Sequence, residues 1–77
     1  MTVFKESKEL AAFEAPWGRQ VRLQEVVLEG GLRILRVRIR EGSRFTDLEL
    51  TAEKAVEIGD RLAAWGRDRL AGGGDDG

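Results

Sequence analysis

At 77 residues the chain makes one domain, and folding by itself would bury only about 60% of the surface its unfolded form exposes. It has no cysteine and no histidine, which excludes disulfides, zinc sites of the usual kinds and catalytic triads built on either residue. Thirteen basic and 14 acidic side chains leave a net charge of −1, so no global field favours nucleic acid or an anionic membrane.

The chain starts with a stretch of mixed character. Residues 1–9 carry Val3 and Phe4 and then a polar run, and are expected to form an arm. The N-terminus is charged within its first ten residues, so no signal peptide is expected. No apolar run approaches the roughly 20 residues of a membrane span. The absence of cysteine is compatible with a cytoplasmic protein, which is the expected location.

The folded domain is expected over residues 10–70. Residues 10–15 read as a first strand, followed by the turn Ala15-Pro16-Trp17-Gly18. Proline presets φ for the second position of a type I turn, and Gly18 suits a left-handed position. That register pairs Phe13 with Val21 and Ala11 with Leu23. Trp17, at the tip, reads as a partly buried anchor in preference to a stacking surface.

Residues 20–40 carry the central hairpin. The run is rich in Val, Ile and Leu and is interrupted only by Glu29-Gly30-Gly31. A three-residue loop with a type I turn and left-handed Gly31 pairs Leu28 with Leu32. Val26 then faces Ile34, Gln24 faces Arg36, Leu23 faces Val37, Arg22 faces Arg38 and Val21 faces Ile39. Side chains alternate between the two faces of a sheet. One face therefore collects Val21, Leu23, Val27, Leu35, Val37 and Ile39, with Glu25 relieved by diagonal Arg33. A one-residue slip would mix apolar and charged side chains on both faces, so it is rejected.

Gly42-Ser43 is a two-residue connection of the II′ pattern. It sets Arg38 opposite Asp47, Arg36 opposite Glu49, Val37 opposite Leu48 and Leu35 opposite Leu50. Thr51 then caps a helix over residues 52–70. Its apolar stripe is Ala52, Ala55, Val56, Ile58, Leu62, Ala63, Trp65 and Leu70, with Gly59 and Gly66 inside it. Their placement suggests close backbone approach to the sheet or to a second helix. Residues 71–77 are expected to be a disordered Gly/Asp tail. The expected fold class is α+β: a four-stranded antiparallel β-meander followed by one C-terminal α-helix packed on the face bearing Phe13, Val21, Leu23, Leu35, Val37 and Leu48.

Three features bear on function. Asp47 and Glu49 look like an acid/base pair, but arginine partners keep both ionised, whereas a general acid needs a raised pKa. Catalysis, a metal and a cofactor are therefore not expected. Arg22, Arg36, Arg38 and Arg40, with Gln20, Gln24 and Phe45, form a polar sheet face. That face reads as solvated and laced by carboxylates, or as a track for single-stranded nucleic acid. Val26, Leu28, Leu32 and Ile34 form an apolar patch on the same face, away from the helix. The patch is expected to mediate homodimerisation, unless Val3 and Phe4 fold over it.

The order β-β-β-β-α, with strand four running directly into the helix through Leu50-Thr51, resembles the transcriptional coactivator family called positive cofactor four. The Whirly single-stranded-DNA-binding proteins look similar in topology. Arg36, Arg38 and Arg40 resemble the basic residues of that family's β-ribbons, and the resemblance spans residues 10–70. It implies a non-enzymatic dimer that binds single-stranded nucleic acid across its sheets. The expected function is thus a small homodimeric interaction or accessory module, with single-stranded nucleic-acid binding as the alternative.

Overall fold

The computed structural model describes residues 4–72. Four strands form one antiparallel sheet in chain order: β1 (Phe4–Ala15), β2 (Arg19–Leu28), β3 (Arg33–Glu41) and β4 (Arg44–Leu50). One helix, α1 (Ala52–Ala71), follows. The architecture is the expected α+β meander with a C-terminal helix.

The registers agree with those read from the turns. Across β2 and β3, Val21 pairs with Ile39, Leu23 with Val37, Gln24 with Arg36 and Val26 with Ile34. Across β3 and β4, Leu35 pairs with Leu50, Val37 with Leu48 and Arg38 with Asp47. Phe13 pairs with Val21 and Ala11 with Leu23. Loop length sets register, and each glycine sits where a left-handed residue is needed.

The turns differ from expectation in type. Gly31 N–H donates to the Leu28 carbonyl at 2.9 Å, closing a turn in which Gly30 has φ 94° and Gly31 φ 89°. Positive φ at the third turn position marks type II, not type I. The first turn is a short 3-10 turn over Pro16–Gly18 that likewise holds two adjacent positive-φ residues, Trp17 at φ 64° and Gly18 at φ 75°. Trp17 is not a partly buried anchor, for it is 87% exposed.

The expected arm is also corrected over residues 4–9, which continue β1 and pair with the far half of β2. The backbone of Val26 to Leu28 needs a partner on that side, and this need outweighs the polar composition of the segment. Register shifts between Phe4 and Glu6 and between Glu9 and Ala11 interrupt this edge strand, as bulges do at sheet edges. Val3 and the tail beyond Gly72 lie outside the described residues.

Thr51 caps α1 as expected, its Oγ1 accepting from Lys54 N–H at 3.2 Å. The helix touches β3 and β4, but none of its residues is buried. Val56, Leu62 and Trp65 are exposed along it. On the sheet, Phe13 and Leu48 are exposed too, on the face where the helix was expected to lie. The buried apolar residues among those described are Val26, at 1% exposure, and Leu50 at the strand–helix junction.

Candidate functional site

Strand alternation places Gln20, Arg22 and Gln24 of β2 beside Arg36, Arg38 and Arg40 of β3 on one face, and Phe45, Asp47 and Glu49 of β4 join them. A cleft of about 270 Å³ opens among Gln20, Arg22, Gln24, Arg38, Arg40 and Phe45. The arginines and Phe45 named from the sequence thus share a face, and Arg36 stands apart from the cleft lining because it is buried.

The charges on this face are largely met within the chain. Arg38 grips Asp47 with a planar two-point contact, Nε to Oδ1 and Nη2 to Oδ2, each at 2.9 Å. The hydrogen bond raises the pKa of the Arg38 guanidinium above its ordinary value and lowers that of the Asp47 carboxyl below its own. Arg38 also lies over the Phe45 ring, 5.4 Å from its centroid. Arg36 Nη2 lies 3.7 Å from Glu49 Oε2. Arg22 Nη1 donates to Glu9 Oε1 at 3.2 Å. Arg40 Nε donates to the carbonyl of Gly42 at 2.9 Å, and no carboxylate pairs with Arg40 among the described residues. The Asp47 shift is opposite in direction to the raised pKa that a general acid needs.

Glu9 was missed by sequence reasoning. It falls in the polar segment read as an arm, and only the continuation of β1 opposite Gln24 brings it to Arg22. The signal available was the length of β2, which leaves its far half unpaired if β1 starts at Leu10. The pair between Arg33 and Glu25, at 3.4 Å on the other face, is the diagonal relief expected.

The apolar patch is redistributed relative to its sequence reading. Val26 is buried within the chain, Leu28 and Ile34 are half-buried, and Leu32 is exposed. Val26 is therefore not available as an open contact. The side-chain Oε1 of Gln24, next along the same face, is a buried acceptor with no hydrogen-bond partner among the described residues. Among the described residues there is no group of three or more His, Cys, Asp or Glu that could hold a metal ion, and no helix is long and apolar enough to cross a membrane.

The fold and this face define a small meander-plus-helix domain with a salt-bridged arginine surface. The family model that matches residues 4–68 is a family of unknown function, DUF6967, and the chain belongs to that family. No curated protein and no solved structure matches it.

Proposed function

We propose that the protein is a non-catalytic interaction or accessory module that works as a homodimer. The observation that carries this reading is the size of the core: among the described residues of a 77-residue chain, Val26 and Leu50 are the buried apolar side chains. A domain of this length is marginal even with a complete core. Meanwhile Phe13, Leu48, Val56, Leu62 and Trp65 remain exposed, and large apolar side chains left open on a small domain mark an interaction surface. A two-fold contact covers such surface in both copies at once. The absence of catalysis in this reading is supported by Arg38, whose hydrogen bonds hold the Asp47 pKa below its ordinary value, whereas a general acid needs it raised. The test is unfolding in urea at several protein concentrations. The midpoint should rise with concentration, because a folded dimer is stabilised by mass action; a midpoint that does not move contradicts the dimer.

The second reading is single-stranded nucleic-acid binding through the arginine face. The cleft beside exposed Phe45, with Arg40 free of a carboxylate partner among the described residues, favours it. The ion pairs of Arg22, Arg36 and Arg38 place it second. Fluorescence polarisation of labelled oligonucleotides at two salt concentrations decides the matter. Binding that falls steeply with salt and weakens in Arg40→Gln supports this reading, and no binding at low salt ends it.

A further inference from the structure

We propose that the dimer is formed by exchange of helices, with α1 of each copy lying across the apolar sheet face of the other. The inference rests on the homodimer reading and adds which surfaces meet. Four observations point to it.

The first is reciprocity. The chain leaves open both an apolar helix stripe and an apolar sheet face bearing Phe13, Val21, Leu23, Val37 and Leu48. Each surface needs a cover of the kind the other supplies, so a second copy satisfies both.

The second is the junction. Leu50 ends β4, Ala52 begins α1, and Thr51 alone connects them. That residue is held as the cap, with its carbonyl accepting from Ala55 N–H at 2.9 Å. Connections between strands and helices usually take about two to six residues. A single capped residue leaves little chain for the helix to turn back over its own sheet face, and none of its residues is buried there.

The third is extent. The radius of gyration is 15.2 Å, against about 11.5 Å for a compact chain of this length. The accessible surface is 6273 Å², against about 4,700 Å² for a compact monomer of this mass. The excess, about 1,600 Å² per chain, leaves room for the roughly 800 Å² per partner of a standard interface.

The fourth is the pair of glycines within the stripe. A Cβ built on Gly59 or Gly66 meets nothing within 4 Å, so the single chain gives no reason for either residue. Glycine is a poor choice for a helix interior unless something must come close. Large side chains on the sheet face, Phe13 and Leu48, are of the size that such notches admit.

The experiment exploits the absence of native cysteine. Asp60→Cys, beside the stripe and exposed, is spin-labelled on unlabelled chain, mixed with isotopically labelled wild type and refolded. Amides around Val21, Leu23, Val37 and Leu48 of the wild-type copy should lose most of their intensity. A dimer whose losses fall instead around Leu28, Leu32 and Ile34, or on the helix alone, overturns the exchange and leaves the dimer standing. A dimer with no losses in the wild-type copy overturns it as well. A monomeric mass in the same sample overturns both.

Discussion

Trp17 occupies a backbone position that suits glycine. Its φ of 64° is left-handed, which costs an L-residue roughly 1–2 kcal/mol, and its exposed ring gains little from packing to offset that. Trp17→Gly should therefore not destabilise the protein, and should raise the unfolding free energy measured in urea by up to about 1 kcal/mol; a clear loss would mean that the ring is anchored in the assembled protein. Gly18 and Gly31, at φ 75° and 89°, stand in the opposite situation, and a valine at either should cost about 1–3 kcal/mol. The pair between Arg38 and Asp47 has a sign that can be checked. The hydrogen bond from Arg38 lowers the Asp47 pKa below its ordinary 3.8, so the folded state favours the ionised carboxylate. That contribution is complete above pH 3.8 and fades as the pH falls through the folded value. Both side chains are about one-third exposed, at 35% and 34%, so Asp47→Asn should cost no more than about 1 kcal/mol at neutral pH. The gap between wild type and variant should close below the ordinary carboxylate value, and a gap independent of pH would contradict the pairing.

At the scale of elements, the hairpins were legible and the helix packing was not. Gly31, Gly18 and Gly42 mark the turns, and the pairing of arginines with Asp47 and Glu49 on one face supports the resulting register. Two adjacent positive-φ residues changed the turn type without changing the loop length, so the register survived. Residues 4–9 carry no apolar alternation, and their strand exists because β2 needs a partner there. The stripe on α1 says that one face is to be buried, but an amphipathic pattern does not say against which copy. The arginine face was legible for the same reason as the register, whereas Glu9 depended on the unforeseen length of β1. Gly59→Ala and Gly66→Ala separate the two roles of the helix. With open space around each in the single chain, helix propensity alone would stabilise by about 1 kcal/mol per site. If the stripe is docked closely, each alanine should instead weaken dimerisation while raising the helicity of the dissociated chain, measured by circular dichroism across a dilution series. Thr51→Ala should cost about 1 kcal/mol through the lost cap.

At the scale of the molecule, the chain is an extended body of 47 × 30 × 18 Å whose apolar surfaces face outward on both the sheet and the helix. Burying an aliphatic side chain fully is worth roughly 1.5–3 kcal/mol, so covering Phe13, Leu48, Val56 and Leu62 in two copies gives a drive that the single chain lacks. Leu48→Glu on the sheet and Leu62→Glu on the helix should each dissociate the assembly, and loss of the fold in either would mean that the monomer cannot stand alone. The arginine face stays outside this contact, on the other side of the sheet, and is therefore available to a partner in the dimer. The most direct measurement is the solution mass of the wild-type chain by light scattering during size exclusion. A mass twice 8.6 kDa, held on dilution through the micromolar range, is the predicted result, and a mass of 8.6 kDa with the chain still folded would contradict it.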